Sequence, residues 1–211
     1  MNTLVTLQLN LISQYILILL LTYNSMNTFE QSKKRSLTKT DKSNIGSWDA
    51  KIKPLCKEIN KTKNYYTTSS CSGRIVLIKS TKKKVENVFI FRTHNKTKPK
   101  ELKETIDKEK ENQDVDFQQT PCILHVACLT IEDAFELINK AKLAGWKRSG
   151  IISSSKGKIV VELQSTESIS FPIVRNKKQI IDDNFLKITI KEANEKLERC
   201  WDKIERLKRS I

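Results

Sequence analysis

The sequence predicts a mixed α+β fold, in which two helix-and-hairpin halves share a mixed sheet packed by helices. Apolar runs of strand length, such as residues 75–78 and 122–129, alternate with segments whose apolar residues follow the helical period. A helix followed by a hairpin occurs twice, which favours two related halves. No G-x-G-x-x-G follows a predicted strand and no G-x-x-x-x-G-K occurs, so the sequence argues against a doubly wound, Rossmann-type fold.

The first half is predicted to contain one amphipathic helix and three strands. The helix covers residues 50–60, and the strands cover residues 65–68, 75–78 and 87–94. Pro54 falls in the first turn of the helix, where proline is tolerated. The first two strands flank a hydroxyl-rich turn, and residues 80–84 close a hairpin between the second and third strands.

Polar segments surround these elements. Residues 32–42 are basic and indicate a short helix and then a linker, while residues 41–49 carry turn chemistry throughout. Residues 99–112 are strongly charged, and Ile106 is nearly alone on their helical face. This last segment is therefore expected to be a solvated helix or a mobile insertion.

The second half is predicted to contain a buried strand, a capped helix, a hairpin, an edge strand and a long helix. The strand covers residues 122–129, the helix 130–145, the hairpin 148–165, the edge strand 169–174 and the long helix 183–211. Thr130 begins a cap-like TIED sequence, the hairpin turns around Lys156 and Gly157, and Pro172 indicates a sheet edge. One apolar stripe follows the long helix: Leu186, Ile190, Ala193, Leu197, Trp201, Ile204, Leu207 and Ile211.

The charge of the chain indicates a polyanionic partner. The chain has 211 residues and a net charge of +15, and no charged residue precedes Glu30. A charge this large in a small protein usually serves nucleic acid binding. The alternative is that the lysine-rich composition serves solubility alone.

The first 25 residues form an apolar leader that we predict to be a start-site artefact, with residues 26–211 as a single domain. The run at residues 15–21 is shorter than a membrane span, and no basic segment precedes it as in a secretory signal. The sequence MNT occurs at Met1 and again at Met26. A membrane anchor is the alternative, although no stable membrane association is expected.

The cysteines indicate a reducing compartment. Their number is five, and no C-x-x-C pair occurs. This pattern disfavours a disulfide framework and gives little support to a structural metal, so we predict no metal site and a cytoplasmic location. Cys56 and Cys200 lie in helix-like patterns and are predicted to be small apolar core residues.

A hydroxyl-rich motif, TTSSCSGR, is the strongest candidate for a binding site. Ser69, Ser70 and Ser72 offer adaptable hydrogen bonds, Gly73 permits close approach, and Arg74 can clamp an anion through two parallel hydrogen bonds. The alternative is a polar hairpin turn whose hydroxyls bind the local backbone.

The two halves share a Ser-Gly pair. Ser149 and Gly150 occupy a place in the second half that matches Ser72 and Gly73, and both pairs are predicted to lie near a pseudo-symmetric cleft.

Six segments in this order give the chain a family resemblance. They are DKSNIGSWD, YYTTSSCSGRI, FRTH, ILHVAC, AGWKRSGII and VVELQSTESISFPI. Together they resemble the tRNA wybutosine-synthesizing protein 3 family over roughly residues 36–207. The resemblance implies an S-adenosylmethionine-dependent enzyme that acts on the anticodon region of tRNA(Phe). It would methylate a ring nitrogen of a tricyclic guanine derivative just 3′ of the anticodon.

Methyl transfer to a ring nitrogen requires in-line geometry and a group that holds or removes the nitrogen-bound proton. Asp49 and His94 are the candidate catalytic residues, because each ends a motif segment. A strand-end cap is the alternative for His94. Cys71 is expected to pack or to contact substrate, since transfer from a sulfonium needs no nucleophilic thiol.

His125 lies in the middle of a predicted strand. It is a candidate for cofactor or substrate contact, and the alternative is a core histidine bound to backbone. A non-catalytic basic RNA-binding module remains the alternative function, which binding of S-adenosylmethionine would distinguish.

Overall fold

The computed structural model describes residues 2–38, 49–81, 87–155 and 158–211, and these residues form five helices and nine strands. The helices are α1 (Asn2–Thr38), α2 (Lys53–Lys61), α3 (Pro99–Glu109), α4 (Ile131–Leu143) and α5 (Asp183–Ser210). The strands are β1 (Tyr65–Cys71), β2 (Arg74–Lys79), β3 (Phe89–Thr93), β4 (Val115–Thr120), β5 (Ile123–Cys128), β6 (Arg148–Ser155), β7 (Lys158–Gln164), β8 (Ile169–Arg175) and β9 (Lys178–Gln179). The predicted turns at residues 41–48, 82–84 and 156–157 lie outside the described residues.

The strands form two antiparallel sheets, so the α+β class is confirmed while the single shared mixed sheet is wrong. The first sheet has the order β1-β5-β7-β6 and the second the order β3-β2-β4-β8-β9. The predicted hairpins β2-β3 and β6-β7 are present, but β1 and β2 do not pair with each other. The chain changes sheet between β1 and β2, between β4 and β5, and between β7 and β8. The two halves therefore interlock.

Helix α5 joins two hydrophobic cores along its length. Its first half, with α3, covers the second sheet through Leu186, Ile190 and Leu197. Its second half packs with α2 and α4 against the first sheet through Ile204 and Leu207. The predicted apolar stripe is thereby confirmed, since one amphipathic helix buries a continuous face against both sheets.

Four local predictions from the sequence can be compared with the structure. Thr130 caps α4 through a reciprocal capping box with Asp133, as the TIED sequence predicts. The charged segment around Ile106 is helix α3, and Leu102 joins Ile106 in the core. At Pro172, β8 pairs with β4 alone, because β9 pairs only with the last residues of β8. Cys56 and Cys200 are fully buried, as expected of core residues.

Helix α1 spans the predicted boundary between residues 25 and 26. Its Phe29 is 1% exposed and lies 5.1 Å from the ring of Tyr66, in a small cluster with Ala127 on the first sheet. Within the parts of the chain that the structure describes, no helix combines the length and the apolar character needed to cross a membrane.

We expect the chain that begins at Met26 to fold as stably as the full chain. It retains Phe29, whereas Phe29→Ala in the same shortened chain should lower the free energy of unfolding by about 3 kcal/mol, as is typical of a buried phenylalanine. Denaturant unfolding of the three proteins measures both effects. An insoluble chain from Met26, beside a soluble full chain, would contradict the start-site interpretation.

Candidate functional site

The candidate site lies on the face of the first sheet opposite its core, which we call the open face and define by Ser69, Cys71, His125, Glu162 and Gly150. Helix α1 covers the neighbouring part of the same face, where Phe29 packs against Ala127. Ser69 pairs across the strands with His125, His125 with Glu162, and Glu162 with Gly150. Their strand neighbours, such as Leu124 and Val161, point into the core. Because side chains alternate along a strand, this row and Cys71 share the opposite face.

An ion pair forms beside Cys71 at the edge of the open face. The Nδ1 atom of His94 lies 3.1 Å from Oδ2 of Asp49, 3.0 Å from the carbonyl oxygen of Gly73 and 3.8 Å from Sγ of Cys71. Asp49 comes from the loop before α2, and His94 directly follows β3. The structure thus brings together both predicted catalytic residues and the motif cysteine.

The charge state of this pair follows from its contacts. The hydrogen bond to Asp49 is the main cause that raises the pKa of His94 from 6.5 to about 10, with a further contribution from Cys71. Burial raises the pKa of Asp49, but the hydrogen bonds from His94 and Ser72 outweigh it and leave this pKa below 3.8. His94 is therefore a cation and Asp49 an anion at neutral pH.

Asp49, Cys71 and His94 could also serve as metal ligands. One potential ligand atom from each lies within 4.8 Å of the others. The Nδ1 atom of His94 already faces a carbonyl and a carboxylate, an arrangement that suits an N–H donor. The absence of a metal remains a prediction from the sequence.

The chain passes from the first sheet to the second in the middle of the hydroxyl-rich motif. We call this connection, formed by Ser72 and Gly73 between β1 and β2, the crossing. The backbone N–H of Ser72 donates to Asp49 over 2.7 Å. Gly73 has a φ of +94°, and a Cβ there would lie 3.1 Å from the carbonyl oxygen of Thr120 and 3.2 Å from Leu197. Only glycine meets both constraints without strain. The predicted turn is therefore short, and Ser69 and Ser70 belong to strand β1.

A row of three hydrogen-bonded side chains crosses the open face. The hydroxyl of Ser69 lies 2.8 Å from Nδ1 of His125, and Nε2 of His125 lies 2.8 Å from Oε2 of Glu162. A Cβ on Gly150 would have no atom within 4 Å, so the sheet is uncovered at the end of this row. His125 is thus a partly exposed residue of the open face rather than a core histidine.

Arg74 extends from the start of β2 and packs on an aromatic ring. Its guanidinium lies 5.0 Å from the ring centre of Phe89, and that of Arg92 lies 5.2 Å from the same ring. The Nε atom of Arg74 is buried and has no hydrogen-bond partner among the described residues. Buried polar atoms normally have partners, so this donor stands out as a candidate contact for a bound anion.

Two predicted residues lie away from the open face. Ser70 is opposite Leu124, on the core side of β1. Ser149 donates to the carbonyl of Trp146 over 2.6 Å and holds the start of β6. Ser149 and Gly150 lie within a strand, unlike Ser72 and Gly73 at the sheet crossing, so the two Ser-Gly pairs are not structurally equivalent.

Sequence reasoning missed Glu162 and Phe89. Glu162 is a single charged residue in the otherwise apolar stretch IVVEL of β7, and this isolation is the signal that marks it. Its relation to His125 depends on the pairing of β5 with β7, which the sequence does not specify.

The fold and the site define a basic α+β protein with a polar centre on an open sheet face. This arrangement is unlike the strand-end site of a doubly wound sheet. A family model described as Methyltransferase TYW3 matches residues 27–211, and the chain belongs to this family.

Known relatives match over most of their lengths. The chain is 35% identical over 186 residues to a tRNA(Phe) 7-((3-amino-3-carboxypropyl)-4-demethylwyosine(37)-N(4))-methyltransferase 1 of Pyrococcus horikoshii, covering 87% of this chain and 94% of that protein. It is 34% identical over 183 residues to a tRNA wybutosine-synthesizing protein 3 homolog of Xenopus laevis, covering 84% and 72%. The structure of PH1069 protein from Pyrococcus horikoshii superimposes with a TM-score of 0.79 at 33% identity, covering 88% of this chain and 96% of that one.

Proposed function

We propose that this protein transfers a methyl group from S-adenosylmethionine to ring nitrogen N4 of a 4-demethylwyosine-type base in the anticodon region of tRNA(Phe). The observation that supports this proposal most strongly is the 35% identity to a relative of which 94% is covered, and whose name states this position and base. All five cysteines are free, which suits a reducing compartment, so we propose a cytoplasmic location.

The chemistry of the crossing between the sheets fits the methyl donor. S-adenosylmethionine supplies a methyl group on a sulfonium together with an amino-acid carboxylate. Arg74 offers a buried Nε donor that has no partner among the described residues, and Ser72 lies two residues before it at the crossing. We assign the carboxylate of the donor, or the amino-acid side group of the substrate, to these residues.

The ion pair of Asp49 and His94 holds this crossing in shape. Asp49 accepts from the Ser72 backbone, and His94 lies against the Gly73 carbonyl, so the pair fixes two successive peptide groups of the motif. Cys71 lies at the same edge and is assigned a packing or substrate contact. The pair acts in catalysis by orienting the motif and by placing a cation near the substrate.

The function is tested by incubating tRNA(Phe) that carries the unmethylated base with the protein and S-adenosylmethionine, followed by mass spectrometry of the nucleosides. A gain of one methyl group on the tricyclic base is expected. The alternative, a non-catalytic RNA-binding module, predicts tRNA binding without methylation and without binding of S-adenosylmethionine.

A basic face of α2 is a candidate contact for tRNA phosphates. Lys53, Lys57 and Lys61 are exposed at helical spacing and line a groove with Leu37 and Asn60. The helix begins just after the loop that carries Asp49, so phosphates bound here would lie near the site.

Binding of tRNA is expected to weaken steeply as salt rises, because lysine–phosphate contacts release counterions. Lys53→Gln and Lys57→Gln should each reduce the slope of log affinity against log salt by roughly one. Lys100→Gln, on α3, is the control and should leave the slope unchanged. Affinity that is the same at low and high salt would contradict a phosphate-dominated interface.

A further inference from the structure

The two histidines of the chain face different sets of groups. The Nδ1 atom of His94 faces the carboxylate of Asp49, the carbonyl of Gly73 and the thiol of Cys71. These contacts suit a ring that donates its N–H and keeps its proton. His125 instead lies between one acceptor and one hydroxyl, and a hydroxyl can donate as well as accept.

The contacts of His125 assign its tautomer. Glu162 is a carboxylate, which accepts hydrogen bonds, so Nε2 of His125 carries the hydrogen that Glu162 receives over 2.8 Å. In the neutral ring Nδ1 is then the free lone pair, and it accepts the hydroxyl hydrogen of Ser69 over 2.8 Å. The oxygen of Ser69 is thereby left with lone pairs that face the open surface of the sheet.

The row is within reach of a base bound at the motif. Ser69 and Cys71 alternate on β1 and point to the same side, about 7 Å apart as residues i and i+2 of a strand. Ser69 is exposed, and the side chain of His125 is 28% exposed. With open space above Gly150, a flat tricyclic base can lie across this face with one edge at Ser69.

We propose that Ser69, His125 and Glu162 take up the proton that the acceptor ring nitrogen loses when it is methylated. This inference rests on the proposed function and assigns the proton acceptor of that reaction. The nitrogen bonds to the methyl carbon as the carbon–sulfur bond breaks, and the electron pair of that bond goes to sulfur. The nitrogen-bound proton passes to Oγ of Ser69, while the hydroxyl proton of Ser69 passes to Nδ1 of His125.

At the end of the step, His125 is an imidazolium between Ser69 and Glu162, and the methyl donor has become a neutral thioether. Ser69 is the residue that contacts the substrate. His125 and Glu162 act through it, since Glu162 fixes the tautomer and then faces the cation. A carboxylate that orients an imidazole in this way also stabilises its charged form.

The hydrogen bonds of His125 can be tested by NMR spectroscopy, without an activity assay. The chain has two histidines, so selective 15N labelling gives the nitrogen signals of two rings. In the unaltered full chain, the ring of His125 should carry its hydrogen on Nε2 whenever that ring is neutral. Glu162→Leu removes the acceptor and should mix the two tautomers, whereas Glu162→Gln keeps an acceptor oxygen and should largely preserve the Nε2–H form.

Methyl transfer at saturating tRNA and S-adenosylmethionine tests the role of the row. His125→Gln should lower kcat on the order of 100-fold, in the range of lost general-base catalysis, with little change in KM for tRNA or in binding of the methyl donor. Glu162→Leu should lower kcat more than Glu162→Gln. Glu136→Gln, which alters an exposed carboxylate paired with Lys140 on α4, is the control and should leave kcat unchanged.

The two proposals fail in different ways. Full kcat for folded His125→Gln and Glu162→Leu, beside an active unaltered chain, would remove the proton-acceptor role and leave the methyltransferase function intact. An unaltered chain that binds tRNA but transfers no methyl group would remove the function and the inference together. A reduced kcat with the expected tautomer change and unchanged KM supports the inference.

Discussion

Asp49→Asn is expected to lower methyl transfer on the order of 10- to 100-fold while leaving a folded protein. Asparagine can still accept from the Ser72 backbone, but it loses the charge that pairs with His94. Loss of a charge-assisted hydrogen bond costs about 1.5 to 3 kcal/mol, which corresponds to one to two decades in rate if it is felt fully in the transition state. Single-turnover kinetics with saturating S-adenosylmethionine measure this effect.

The same substitution should change how stability depends on pH. The folded-state pKa of His94 is raised from 6.5 to about 10, so the stabilisation it provides is complete below pH 6.5 and is lost as the pH rises towards 10. The pKa of Asp49 is lowered below 3.8, so its contribution is present above that value and is lost as the pH falls through its folded pKa. The difference in unfolding free energy between the unaltered chain and Asp49→Asn should therefore be largest near pH 5 to 6.

Asp107→Asn provides the matched control, because Asp107 forms an exposed pair with Lys110 on the surface of α3. That variant should retain full activity, and its stability should differ little from that of the unaltered chain, since exposed pairs contribute little. An Asp49→Asn protein with full activity and the unaltered pH dependence would show that the ion pair shapes neither the site nor the fold.

The helices were the most predictable part of the fold. The TIED sequence and the apolar stripe of α5 are local patterns, and capping and helical periodicity follow from neighbours along the chain. The strand content was less predictable. Strand β4, VDFQQT, carries alternating buried and half-exposed residues beside a lysine-rich segment, and it was not recognised as a strand.

The separation into two sheets could not be predicted, because it depends on pairing between distant residues. Ser69 and Ser70 resemble turn residues, yet they extend β1 since the backbone there pairs with β5. The polar side chain of Ser69 is tolerated in the strand because its face is open. Pairing between strands also places Glu162 beside His125, which explains why neighbours in sequence gave no indication of the row.

The residues near the motif were easier to predict than their roles. Asp49 and His94, which each end a motif segment, lie beside Cys71 of the central motif. The sequence offered Asp49 and His94 as groups that hold or remove a proton, and the contacts of His94 raise its pKa from 6.5 to about 10. The pKa of a histidine depends on which groups surround the ring, and these come from three separate segments of the chain.

Arg74→Lys is expected to reduce methyl-transfer efficiency 10- to 100-fold without unfolding the protein. Lysine keeps the positive charge but loses the planar group that can form two parallel hydrogen bonds with a carboxylate. Loss of one charge-assisted hydrogen bond, about 1.5 to 3 kcal/mol, corresponds to roughly this decrease. The buried Nε of Arg74, which has no partner among the described residues, is the donor that this substitution removes.

Arg92→Lys separates this effect from simple packing. Both guanidiniums lie over the ring of Phe89, at 5.0 Å for Arg74 and 5.2 Å for Arg92, so either substitution weakens a cation–π contact of similar geometry. If Arg74 binds an anion, only Arg74→Lys should raise the dissociation constant of S-adenosylmethionine or the KM for tRNA. Equal losses of activity in both variants would mean that Arg74 serves the Phe89 contact.

Cys71→Ala completes the comparison and should be milder than Arg74→Lys. Methyl transfer from a sulfonium needs no thiolate, and the contact between Sγ of Cys71 and His94 is long, at 3.8 Å. Methyl transfer, tRNA binding and thermal unfolding should be measured for all three variants together. A Cys71→Ala protein that is folded and binds both substrates but is inactive would show that the thiol takes part in the chemistry. Wild-type activity of Arg74→Lys would remove Arg74 as the anion clamp.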